Sequence, residues 1–454
     1  MQKLRRKKGN FALLKNKRMA WSEKLKLNKQ LVRSLTEVGY LAPKEIQLKT
    51  LSRIIGGQDV IAVGPEGCGK TSAYILAVSN RLKHTSEGVP RVLILVPDKE
   101  QVLDVIARFE LLNRNKPVQI VGLYAAPGTE SQMNALAEGA DIVVATPDRA
   151  RAIYLKLGLN LNKIELLIVD DADLIVKQGL QLPVAELANS ITKCQHLVFT
   201  TVIHDKLNKM IDPFMKLPAI VEVEEIGETK VETLPQLLYH VPNFGTKLNL
   251  LNFFMQDDEL FTKTVVFVNS RQTAEKVYKT LQNRQKNTTS ILKSWTIEME
   301  SFMFIDDFKD APNARVLIVI NDDDVPAIDL YNIPFAIHFE LPADKETFIG
   351  HITKHQPESD DETLAITFTT DLELSMVRKI EQAIGQKIPV AELPEGLVIE
   401  KEKRDIEPED KPSGKKKIVE AVAGEAFHQK KASNLKTHNF SAGLKAKMNN
   451  KKKH

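Results

Sequence analysis

The sequence predicts an α/β protein of two tandem lobes, each a parallel sheet covered by helices. Apolar, β-branched runs alternate with polar segments of helical period from residue 59 to about 385. The runs fall into two series, and a polar stretch with no core periodicity separates them. In the first series "DVIAV", "RVLILV", "VQIVGLY", "DIVVA", "LLIVD" and "HLVFTT" recur between residues 59 and 201. In the second come "TVVFV" (264–268), "RVLIVI" (315–320), "FAIHFE" (335–340) and "LAITFT" (364–369). Runs so continuously apolar read as strands buried on both faces, the mark of a parallel sheet with crossover helices. Between the series, "EVEEIGETKVETLP" (222–235) reads as a linker. The expected organisation is a basic extension 1–30, a first lobe 31–222, a linker 223–235, a second lobe 236–397 and a disordered Lys-rich tail 398–454.

Composition bounds the class. The chain has 454 residues, 43% hydrophobic and 27% charged, which fits a soluble protein with a large core. Its two cysteines, Cys68 and Cys194, cannot form a disulfide framework, so a reducing cytoplasm is the expected setting. No apolar run approaches the ~20 residues of a membrane span, and the basic start "MQKLRRKKGNFALLKNKR" is not followed by an apolar leader segment. The net charge of +4 is unevenly spread: residues 1–30 and 411–454 each carry +10, leaving −16 on residues 31–410. Two basic arms on an acidic body point to nucleic acid as the partner of the arms.

Residues 60–76 read "VIAVGPEGCGKTSAYIL", in which Gly64, Gly67, Gly69, Lys70 and Thr71 match G-x-x-x-x-G-K-[ST]. Glycines let the backbone curl so that N–H groups face phosphate; Lys70 reaches its oxygens and Thr71 ligates Mg²⁺. The helix behind them adds its dipole. About a hundred residues on, "LLIVDDAD" places Asp170 and Asp171 at the end of a buried strand, where a carboxylate can hold that metal.

With these residues in view, the chain resembles the DEAD-box RNA helicases. "GYLAPKEIQ" (39–47) is similar to the adenine-reading segment of that family, with Gln47 at its glutamine. "GPEGCGKT" resembles its P-loop and "DDAD" (170–173) its name-giving tetrad. "PDKEQ" (97–101) and "ATPDR" (145–149) are similar to the stretches that grip RNA backbone, and "FTTV" (199–202) stands at the Ser-Ala-Thr site. In the second lobe "TVVFVNSRQTAEKV" (264–277) and "LAITFTTDLELSMVRKIEQAIGQKIP" resemble family segments. The resemblance implies two RecA-like domains, with ATP and Mg²⁺ in the cleft and single-stranded RNA across the top. It assigns Gln47, Gly64, Gly67, Cys68, Gly69, Lys70, Thr71 and Ser72 to the nucleotide. Thr71 and Asp170 fall to the metal. Pro97, Lys99, Thr146, Pro147, Arg149 and Arg271 fall to RNA. Trp21 lies one residue from the place of an adenine-stacking aromatic.

Departures from the family pattern gather on the hydrolysis machinery. Asp171 replaces the glutamate that positions the attacking water, one methylene shorter. "FIGHITKHQPES" replaces an Arg-rich segment, with His351 and Lys354 at the arginine places nearest the cleft and Pro357 at the next. A guanidinium there is worth about 10³–10⁵ in phosphoryl transfer. "VINDDDVPAIDL" keeps Asp322 and Asp329 but puts Pro326 where an arginine stands, with Asp323 and Asp324 adding negative charge. "FTTV" lacks the hydroxyl pattern that couples the lobes. Arg271 and Arg315 are the candidates to replace the lost cations. The expected catalytic set is thus Lys70, Asp171, His351 and Lys354. Three readings follow: an ATP-dependent RNA helicase of weak turnover, a non-hydrolysing ATP-binding RNA clamp, and a nucleotide-binding regulator of another protein.

Overall fold

The structure, a computed structural model, describes residues 27–40, 42–82, 88–112, 118–224, 230–283, 288–295, 299–321, 328–353 and 363–401. The expected roles of Trp21, Asp322–Asp324, Pro326, Lys354, Pro357 and nearly all of both basic arms lie outside them.

In the first lobe α1 (Lys29–Glu37) and α2 (Glu45–Ile55) precede β1 (Val60–Val63), α3 (Lys70–Arg81), β2 (Val92–Leu95) and α4 (Lys99–Leu112). Then come β3 (Ile120–Leu123), α5 (Glu130–Glu138), β4 (Ile142–Ala145), α6 (Pro147–Leu155) and β5 (Leu166–Val169). Helices α7 (Ala172–Lys177) and α8 (Gln181–Ser190), β6 (Gln195–Thr200), α9 (Asp205–Ile211) and β7 (Ala219–Glu222) complete the lobe. Its strands form one parallel sheet in the order β3-β4-β2-β5-β6-β1-β7.

Alternation explains why the strands read as unbroken apolar runs. Val60 and Ala62 enter the core on one face of the sheet while Ile61 and Val63 enter the core on the other. Val92 and Ile94 divide from Leu93 and Leu95 in the same way. Both faces are dry, so neither set of positions tolerates a polar residue.

The second lobe holds β8 (Gln236–His240), α10 (Phe244–Met255), β9 (Thr264–Val268), α11 (Arg271–Gln282), β10 (Thr289–Leu292) and β11 (Ser301–Phe302). Next are α12 (Ile305–Asp310), β12 (Val316–Ile320), β13 (Phe335–His338), α13 (Lys345–Ile352), β14 (Leu364–Thr369), a 3₁₀ turn at Asp371–Glu373, α14 (Leu374–Ile384) and β15 (Val390–Ala391). This sheet too is parallel, ordered β11-β10-β12-β9-β13-β14-β8-β15.

Strands β7, β8, β10, β11 and β15 are absent from the sequence reading. Four are edge or near-edge members, half exposed or two residues long, and β10 opens on polar Thr289 and Ser290, so none shows a long apolar run. Part of the stretch read as linker is docked on the second lobe. Val231 N donates to Ile384 O at 2.9 Å, and Leu234 N to Ile352 O at 2.7 Å. Residues read as the start of the tail lie against α10, where Glu400 N donates to Thr246 Oγ1 at 3.1 Å and Asn249 Nδ2 to Val398 O at 2.8 Å.

Leu93, fully buried between β4 and β5, tests the core. Leu93→Ala should cost about 2–5 kcal/mol in the urea transition of the first lobe, and an unshifted midpoint would contradict this packing.

Candidate functional site

The residues after β1 cannot continue as strand. Gly67 and Gly69 stand at φ +80° and +100°, where a side chain is disfavoured. A Cβ on Gly69 would also meet Gln47 Nε2 at 2.8 Å. The curled backbone feeds directly into α3, whose first residue is Lys70. Its ammonium folds back over the turn, donating to Gly64 O at 2.6 Å and Pro65 O at 2.9 Å. Thr71 Oγ1 donates to Asp170 Oδ2 at 3.0 Å, joining the ends of strands that β6 separates.

Gln47 fastens α2 to this turn. Its Oε1 accepts from Lys44 N at 3.0 Å and its Nε2 lies 3.5 Å from Gly69 O, while Lys44 Nζ donates to Gly67 O. Ser72 meets the Tyr40 hydroxyl at 3.1 Å. The Cys68 side chain is fully buried in the core behind the loop, so its expected nucleotide role reduces to its backbone.

Asp170 is 2% exposed. Burial raises its carboxyl, against the opposing pull of Tyr74, Lys70 and Thr71. Asp171 sits in left-handed backbone at φ +45°. Burial, and then repulsion from Asp170, push its carboxyl up to about 7. Asp173 turns the other way: its Oδ1 accepts from Thr200 Oγ1 at 3.0 Å and Thr201 N at 3.2 Å. "FTTV" therefore does supply a hydroxyl bond to the tetrad.

Lys44, Gln47, Gly67, Gly69, Lys70, Thr71, Ser72, Asp170 and Asp171 all line one cavity of about 930 Å³. Its far wall is a face of α4 made by Gln101, Asp104 and Arg108, with Arg108 paired to Asp104 at 2.7 Å. Sequence reasoning missed that wall. The i, i+3, i+7 spacing of the three residues was its only trace.

His351 departs from its expected place as a cleft cation. Its half-buried ring stacks on Phe267 at 4.1 Å, with Nδ1 3.3 Å from His338 Nε2. Burial pushes it down to about 4, against the weaker pull of Asp344, and holds it neutral. Arg315 is likewise no substitute: it donates to Phe261 O and Asp257 O at the N-terminal end of β12, away from the phosphate edge. Among the described residues, Lys379 on α14 reaches the P-loop from the second lobe, 2.7 Å from Glu66. That hydrogen bond holds the Glu66 carboxyl below its usual range.

The residues expected at RNA follow the C-terminal ends of their strands, the edge where parallel sheets take ligands. Buried Pro97 follows β2, and Lys99 lies 5.4 Å over the Tyr124 ring. Thr146 and Pro147 open α6; the Thr146 hydroxyl is buried with no hydrogen-bond partner among the described residues. Arg149 donates to Gln132 Oε1 at 2.8 Å and to Gly128 O, which ties down the segment before α5. Arg271 begins α11 and lies 5.6 Å from the Trp295 ring.

A glycine turn of this kind, on the C-terminal edge of a doubly covered parallel sheet, has the geometry of a phosphate-binding P-loop. Residues 44–210 match the model of the DEAD/DEAH box helicases. The ATP-dependent RNA helicase DeaD of Buchnera aphidicola subsp. Schizaphis graminum (strain Sg) is 26% identical over 380 residues, covering 82% of this chain and 60% of its own. The RNA helicase CrhR of Synechocystis sp. is 25% identical over 379 residues, covering 83% and 75%. Among solved structures, a DEAD box protein from the hyperthermophile Methanococcus jannaschii aligns at TM-score 0.44 and 19% identity over 81% of this chain and 97% of that one. The first lobe thus matches the DEAD/DEAH box helicase model, and most of the chain is similar to RNA helicases of this kind. The chain spans 60% of the length of this DeaD relative. Among the described residues, no helix is long and apolar enough to cross a membrane.

His338 and His351 are both depressed by burial, so the folded protein refuses protons that the unfolded chain accepts near pH 6.5. Stability should be complete above that pH and fall as pH drops toward about 4. His351→Phe should make the fall shallower in urea titrations at pH 7 and 5; an equal fall in both proteins would contradict the inward placement.

Proposed function

We propose that this chain is an ATP-driven RNA-remodelling protein of slow turnover, working in a reducing cytoplasm. The observation that carries the reading is convergence: the glycine turn, Lys70, the Thr71–Asp170 pair and Asp171 line one cavity. Phosphate oxygens entering it would compete with Gly64 O and Pro65 O for the Lys70 ammonium. Thr71 Oγ1 and the Asp170 carboxylate fit a Mg²⁺ ion, which neutralises phosphate charge when bound. Asp171 stands next to them as the base that orients water, and Gln47 faces the adenine. Single-stranded RNA lies across the strand ends by its backbone, against Pro97, Lys99, Thr146, Pro147, Arg149 and Arg271. A phosphate oxygen would satisfy the orphaned Thr146 hydroxyl. The basic arms at residues 1–30 and 411–454 supply long-range attraction.

Slow turnover follows from the missing guanidinium. His351 is neutral and turned inward, and Lys379 brings charge without the planar fork of arginine. The same two facts favour the second reading, a clamp that binds ATP and RNA without cleaving ATP.

Lys70→Ala should abolish ATP binding in calorimetry, and an unchanged affinity would remove the site. Steady-state phosphate release with and without single-stranded RNA separates the readings: stimulation supports turnover, whereas tight ATP binding without release supports the clamp. Deleting residues 411–454 should weaken RNA binding and flatten its dependence on salt. An unaffected truncation would leave the tail a solubilising role.

A further inference from the structure

At the N-terminal edge of the first sheet, opposite the phosphate edge, three side chains form a relay. The β1–β6 register pairs Val60 with Leu197, which seats Asp59 beside His196. Asp59 Oδ1 accepts from His196 N at 2.8 Å, and its Oδ2 lies 3.1 Å from His196 Nδ1. Cys194 precedes His196 by two residues, so the two share a sheet face. Its Sγ lies 3.3 Å from His196 Nε2. A proton on Nδ1 faces the carboxylate, which leaves Nε2 to take the thiol proton. Burial opposes charge on His196, yet the bonds to Asp59 and Cys194 outweigh it and push the imidazole up to about 9. The Phe214 ring packs beside it at 5.3 Å. An imidazole within hydrogen-bond reach of a thiol can accept its proton, and the thiolate so formed is the nucleophile. Cys194 is partly exposed, whereas Cys68 is fully buried beyond the other end of β1. The nucleotide reading makes no use of this cluster.

We propose that Cys194 is a reactive-thiol modification site, oxidised by hydrogen peroxide to a sulfenic acid, with His196 as proton donor and Asp59 as the group that positions it. The thiolate sulfur attacks one peroxide oxygen and the O–O bond breaks. The departing oxygen takes the His196 proton and leaves as water. Sulfur loses two electrons and peroxide gains them, and a small-molecule thiol then returns the sulfenic acid to thiol by way of a mixed disulfide.

With two cysteines in the chain and one of them buried, iodoacetamide labelling of the native full-length protein reads Cys194 alone. An ordinary thiol, titrating near 8.5, loses on the order of 100-fold in labelling rate between pH 9 and 6.5. Cys194 should lose no more than about threefold. His196→Gln should restore the ordinary steep profile, with far-ultraviolet circular dichroism confirming the fold. Dimedone should trap sulfenic acid at Cys194 after peroxide treatment at least about tenfold faster in the native protein than in His196→Gln. The wild-type profile decides even if the variant unfolds: a rate falling tenfold per pH unit below 8.5 overturns the proposal, as does equal trapping in both proteins.

Discussion

A phosphate-binding turn must aim several backbone N–H groups the same way, and only backbone free to enter left-handed φ can do so. Gly67 and Gly69 supply that freedom, and the space beside Gly69 is already taken by Gln47. The lobe is organised around this turn. β1 delivers it from the interior of the sheet, and α3 begins where it ends. The Thr71–Asp170 bond then fixes how far its mouth lies from the end of β5. Loss of either glycine's conformation would displace every group that faces the cavity.

The electrostatics of the mouth are unfavourable by themselves. Asp170 and Asp171 are adjacent, withdrawn from water and both raised. One buried cation, Lys70, stands near them, and it is shared with two carbonyl oxygens. Such a cluster is relieved by a divalent ion, whose charge would draw both carboxyls back down.

In the second lobe the balance runs the other way. His351 lies on Phe267 and against His338, so a position expected to present charge to the cleft presents packing to the core. A neutral imidazole is tolerated there because stacking and burial stabilise it, whereas an arginine would have to leave.

Strand runs, lobe order and the glycine turn were legible because each is written in neighbouring residues: β-branched runs buried on both faces, and glycines at fixed spacing before Lys70. Edge strands such as β7 and β15 were not, because half their residues face water and their pairing partners lie far along the chain. Nor could spacing reveal the turning inward of His351, the α4 wall with Arg108, or the seating of Asp59 beside Cys194 and His196. Each depends on which strand lies next to which. Local sequence determines what a segment can become. The order and register of the sheets alone decide which side chains meet, since hydrogen bonding between distant strands fixes neighbours that no short stretch encodes.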